Sequence, residues 1–148
     1  MTRHRIFLVN LAAQMGIIVT GAVVRLTASG LGCPTWPECV PGSITPTSAQ
    51  TQGWHKYIEY GNRTLTFVLV VVAIATIVAG RNGRPMVRRL SWGTLLGIVG
   101  QALLGGLTVL TGLHPLVVAA HFLLSIALVA VAAVLVWRAD DAVSPAAP

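Results

Sequence analysis

The chain has 148 residues, of which 55% are apolar and only 9% charged, and its mean hydropathy of +0.78 excludes an ordinary water-soluble domain. The formal charge of +6 does not point to nucleic acid, because the ten Arg and Lys residues flank apolar segments instead of forming a basic stripe with interleaved aromatics. Membrane lipid is the expected surrounding, and the cationic residues are topology signals.

A helix needs roughly 20 mostly apolar residues to cross the hydrocarbon of a bilayer. Four stretches qualify, and they predict an all-α, integral membrane four-helix bundle occupying residues 1–138. The first span, about 6–24, follows Thr2-Arg3-His4-Arg5; its apolar run is too long for a cleaved signal and flows directly into Arg25, so it is expected to stay as a helix. Gln14 lies in its middle. A loop rich in Gly, Pro, Ser and Thr, residues 25–58, then carries Cys33-Pro-Thr-Trp-Pro-Glu-Cys39. Connections of that length usually have a function.

The second span, about 59–80, has an uninterrupted apolar run only from Leu65 onward, so completing it draws Glu59, Asn62 and Arg63 into the helix. Their spacing of three and four puts them on one face, where Arg63 can pair with the carboxylate. A polar group within hydrocarbon costs about 2.5–3.5 kcal/mol on insertion scales, so this cluster needs either a route to water or a function. The third span, about 91–112, is rich in glycine, which suits close helix approach, and holds Gln101 as an interhelical hydrogen-bonding group. Only His114 and Pro115 separate it from the fourth span, about 116–137, which makes these two a tight hairpin. The fourth span holds His121 in an otherwise apolar segment, and a lone imidazole in a bundle interior is either a haem-iron ligand or a hydrogen-bonded core residue. His4, His55 and His114 are expected to be solvated or interfacial, and residues 139–148 to be a disordered tail.

Arg3, Arg5, Arg81, Arg84, Arg88, Arg89 and Arg138 fall on one side of these spans, against Arg25, Lys56 and Arg63 on the other. That bias predicts cytoplasmic N and C termini, a multi-pass protein of the plasma membrane, and an extracytoplasmic cysteine loop. Thiols oxidise there, and the two prolines between Cys33 and Cys39 favour turned conformations, so a disulfide is expected. A metal site would need two further ligands that the loop does not supply. A redox-active cysteine pair is the remaining reading.

The segments Gly21-Ala-Val-Val-Arg-Leu-Thr-Ala-Ser-Gly-Leu-Gly-Cys33-Pro-Thr-Trp-Pro-Glu-Cys39, Ile58-Glu-Tyr-Gly-Asn-Arg-Thr64 and Gln101-Ala-Leu-Leu-Gly-Gly-Leu-Thr-Val-Leu-Thr-Gly112, with His121, resemble the haem A synthase family. The resemblance covers most of the chain. It implies oxidation of the C8 methyl of haem O to the formyl of haem A, in cytochrome oxidase biogenesis. Family members resemble tandem four-helix units, one holding a haem b cofactor and the other the substrate haem, and this chain is similar to the amino-terminal unit.

The family pattern places a glutamate near the outer end of the second helix, a histidine three residues later and another histidine in the fourth helix. Glu59 and His121 match; the middle position is Asn62, so a His pair within the unit is missing. The resemblance therefore implies haem iron on His121, with Asn62 and Arg63 near the haem and Glu59 as the catalytic acid–base. It also implies a second four-helix unit or a homodimer, with haem O synthase or cytochrome oxidase as further partners. A non-catalytic haem-binding or assembly protein and an inactive half are the alternatives. A small b-type electron carrier, which wants two strong axial ligands, is disfavoured by Asn62.

Overall fold

In a computed structural model, which describes residues 2–139, four α-helices follow one another: α1 (Arg3–Leu26), α2 (His55–Gly80), α3 (Pro85–Leu110) and α4 (Pro115–Trp137). Each is long and apolar enough to cross a membrane. Large apolar side chains such as Leu26, Phe67, Leu96 and Leu116 point outward, as expected of a bundle whose solvent is lipid. The all-α membrane bundle expected from the sequence is the architecture found.

The helices overrun the predicted spans because hydropathy marks only the hydrocarbon-crossing part, while helical hydrogen bonding continues through the flanking polar layer. Thus α3 starts at Pro85 and not at 91, with proline in the first turn, where its missing N–H costs nothing. It stops at Leu110, before the predicted 112. There Leu113 N–H donates to the Thr108 carbonyl (2.7 Å) and Gly112 N–H to the Val109 carbonyl (3.0 Å), with Gly112 at φ 60°. That is a Schellman stop.

The same stop ends α1, where Ser29 N–H donates to Val24 (2.8 Å) and Ala28 N–H to Arg25 (3.2 Å). Ala28 occupies the left-handed position at φ 54°, which glycine adopts without a Cβ penalty. Because Ala28 is exposed, Ala28→Gly removes no packing and is expected to stabilise the protein by about 1 kcal/mol. A raised thermal midpoint in detergent checks this; an unchanged or lowered one refutes it.

Consecutive helices pack on one another, and α4 closes the ring against α1, so α2 and α4 lie on a diagonal. Phe7 of α1, Ala79 of α2, Val87 of α3 and Leu135 of α4 share one hydrophobic cluster. The beginnings of α1 and α3 and the ends of α2 and α4 therefore lie at one end of the bundle, which alternates up and down. Leu69 and Ala73 of α2, Ile98 of α3 and Ala13 and Ile17 of α1 fill its middle. Of the tail predicted to be disordered, only Ala139 is described, and it is buried against the first cluster; residues 140–148 lie outside the described residues.

The cysteine loop covers the opposite end. Its backbone passes so close to the start of α2 that a Cβ on Gly32 would collide with the His55 carbonyl. Pro41 and Gly42 turn a small bridge between Val40 and Ser43, with Gly42 at φ 82°. Across the bundle end, Leu113 in the α3–α4 turn lays its side chain against Gly30.

Candidate functional site

The polar residues of α2 divide between two neighbours. Glu59, only 5% exposed, accepts a hydrogen bond from Cys33 N–H at Oε2 (2.8 Å) and pairs with Arg63 at Oε1, where Nη2 lies at 2.5 Å and Nε at 3.1 Å. Arg63 Nη2 also donates to the Cys33 carbonyl (2.8 Å), and Nη1 donates to the carbonyls of Thr35 (2.9 Å) and Glu38 (3.3 Å). The ion pair at helical spacing is thus a clamp on the cysteine loop, and the guanidinium fork donates to three loop carbonyls, of which that of Glu38 also accepts from Thr35 Oγ1 (2.8 Å).

Cys33 and Cys39 are joined by a disulfide, as expected. Asn62, on the same helix, turns toward α1, where Thr20 Oγ1 donates to its Oδ1 (2.7 Å). The single polar face drawn from spacing therefore serves a loop and a helix separately.

His121 lies against α3, where its Cε1 stands 3.3 Å from the position a Cβ would take on Gly105. The missing side chain on α3 makes room for the imidazole. Its Nδ1 is buried without a hydrogen-bond partner. One turn toward the bundle middle, Gln101 of α3 donates through Nε2 to Ser125 Oγ of α4 (2.5 Å), and Ser125 donates to the His121 carbonyl (3.1 Å). Gln101 thus bonds across helices as its position suggested. Gln101→Leu is expected to cost about 0.6 kcal/mol, the usual worth of an interhelical hydrogen bond in a membrane protein. Unfolding in detergent measures it, and a loss above about 2 kcal/mol would mean that the amide does more than bridge two helices.

Beside this seam stands an aromatic residue of the loop. Trp36 lies on Gly106, so closely that a Cβ there would fall within the indole. Gly105 and Gly106, expected as packing glycines, therefore accept two rings from different parts of the chain.

Several polar groups were missed or differently placed by the sequence. His55, expected to be solvated, is half-buried, bonds through Nδ1 to the buried Ser29 Oγ (3.0 Å) and stacks on Trp54. Lys56, expected only as a topology charge, is 5% exposed and donates to the Thr47 carbonyl (2.7 Å), because the loop folds back over it. Asn10 is 1% exposed with both amide atoms unpartnered, and Gln14, one turn on, is 3% exposed with an unpartnered Nε2. Polar residues in an apolar run were the available signal for Asn10.

The donor set fits a haem held through one axial imidazole. His121 would supply a nitrogen ligand, and its Nδ1 is buried without a hydrogen-bond partner. A second imidazole is not at hand, since His55 is bonded to Ser29, while His114 and His4 are exposed at opposite ends.

Comparison with known proteins gives the context of this geometry. Residues 4–147 match the family described as cytochrome oxidase assembly protein. The chain belongs to that family. Among its relatives are proteins named heme A synthase: that of Geobacillus thermodenitrificans is 32% identical over 108 residues, covering 71% of this chain and 32% of the relative. Those of Bacillus pumilus (34% identical over 131 residues, 83% of this chain, 41% of the relative) and Lysinibacillus sphaericus (32% over 143 residues, 87% and 44%) are similar to it over more of its length. The chain spans less than half the length of these relatives. No solved structure matches it significantly.

Proposed function

We propose that the protein is a haem A synthase-type oxidoreductase unit of the plasma membrane, with the cysteine loop on the extracytoplasmic side and both described helix-bundle ends oriented accordingly. Its substrate is haem O, whose C8 methyl becomes the formyl of haem A. In this reading the chain forms the substrate-haem unit and works with a second four-helix unit holding haem b, in the same polypeptide or another; a second copy of this unit, haem O synthase and cytochrome oxidase are its partners. The observation that carries the reading is His121, an imidazole on a glycine seam with an unpartnered Nδ1, beneath a loop tied down by Glu59 and Arg63.

When bound, the haem would supply the methyl group to be oxidised; taking it to the formyl with oxygen from water releases four electrons and four protons, which an electron acceptor outside this chain must take up. His121 would hold the haem iron through its imidazole. Gln101 and Ser125 fix the α3–α4 seam on which the imidazole rests. Asn62, bonded to Thr20, supports the α1–α2 wall and offers no second strong ligand. Arg63 keeps the loop closed over this end of the bundle. Glu59 is the proton acceptor only if its bond to Cys33 or Arg63 opens, because both carboxylate oxygens are engaged.

That engagement favours a second reading, a haem-binding or assembly protein without oxidation chemistry. One experiment separates the two: the chain is produced beside a source of haem O, purified, and its extracted haem resolved by chromatography, with His121→Ala as control. Haem O bound to the chain alone, haem A once a second four-helix unit is supplied, and no haem in the variant is the expected result. Haem O alone even beside a second unit would establish the binding reading instead, and equal haem in both proteins would remove His121 as ligand. Glu59→Gln with full conversion would exclude proton acceptance by Glu59.

A further inference from the structure

Trp36 and His121 come from segments 85 residues apart in sequence, yet their rings rest on consecutive residues of α3, Gly106 and Gly105. Neighbouring positions of an α-helix differ by only about 1.5 Å in height and about 100° in direction. The two rings therefore stand side by side at one level, on adjoining faces of the same helix. The loop that carries the indole is tied down on both sides of it. The disulfide closes the segment from Cys33 to Cys39 around it, and Arg63 grips the carbonyls of Cys33, Thr35 and Glu38 on either side. Glu59 holds Cys33 N–H. An exposed loop has no need of so many ties; an indole that must stand at a fixed place does.

We propose that Trp36 is a positioning residue for the tetrapyrrole on His121, its indole forming the wall against which the macrocycle edge rests on the loop side. The inference rests on the haem-binding reading above. A macrocycle held by His121 would reach beyond the imidazole, and Trp36 is the large ring that stands on the next residue of α3. An indole is flat, rigid and apolar, so it covers a ring edge at low entropic cost and keeps water from it. The clamp made by Glu59 and Arg63 then acts on the haem through Trp36. Substitution at Gly106 gives a way to displace the indole without altering it, since any Cβ there would occupy its place.

The test uses the full chain loaded with ferric protohaem, and measures the rate of haem transfer to excess apomyoglobin together with the Soret absorption and circular dichroism bands. Trp36→Ala is expected to release haem about tenfold faster, equivalent to the loss of one well-packed aromatic contact, and to weaken the Soret dichroism. Gly106→Ala is expected to reproduce both changes, and Trp36→Phe to restore most of the wild-type rate and band. Wild-type release and Soret bands in both Trp36→Ala and Gly106→Ala would overturn the proposal while leaving the His121 reading intact. So would faster release with unaltered Soret bands in all variants, which marks a loss of loop stability alone. Haem retention by His121→Ala equal to that of the wild type would overturn both.

Discussion

Arg63→Met is expected to destabilise the protein by about 3 kcal/mol, the lower end of what breaking a buried ion pair costs, because the Arg63 side chain keeps 21% of its exposure. The loss has two parts. The Glu59 carboxylate stays buried without its cationic partner, and the carbonyls of Cys33, Thr35 and Glu38 lose their guanidinium donor. Removing both charges is milder than removing one, so Glu59→Gln combined with Arg63→Met should recover at least half of the loss. Thermal unfolding in detergent of the two single variants and the double closes the cycle. A single variant as stable as the wild type would mean that the clamp carries little of the loop's order, and a double no better than Arg63→Met would place the whole effect in the loop carbonyls.

How far this clamp could be read from the sequence is instructive. Glu59 and Arg63 are visible as a pair because helical spacing brings residues four apart together, a rule that needs no tertiary information. Their loop partners are backbone atoms, and a carbonyl has no sequence signature. Asn62 shares the face by count, but its partner Thr20 is 42 residues away on α1, and only the direction in which α1 and α2 meet selects it. The four helices were legible for the opposite reason: bilayer thickness imposes one length and one composition on every span, whatever its neighbours.

The same distinction separates His121 from Trp36. A histidine in an apolar span is conspicuous because it is costly there, so it announces itself. A tryptophan in a Pro-rich loop costs nothing to expose and announces nothing. Gly105 and Gly106 were visible as small residues that permit close approach, but glycine records only that something comes near, and here the visitors are an imidazole from α4 and an indole from the loop. Lys56 was hidden likewise, since its burial depends on the return of the chain at Thr47.

The second large effect is expected from Cys33→Ser with Cys39→Ser, which should cost about 2 kcal/mol, the chain-entropy worth of closing so short a loop. The two cysteines lie six positions apart, and Arg63 binds carbonyls at residues 33, 35 and 38, all within the closed segment. Disulfide and clamp therefore order the same stretch of backbone, and an entropy already removed by one cannot be removed again by the other. The two losses should be sub-additive: in Arg63→Met carrying both serines, the combined destabilisation is expected to fall short of the separate costs by about 1 kcal/mol, in the range found for contacting residues. Hydrogen exchange over residues 32–43 should rise in either parent and change little further in the combination, while exchange in the middle of α2 and α3 stays slow. Strict additivity would refute the shared loop, because it would require disulfide and clamp to hold independent structures.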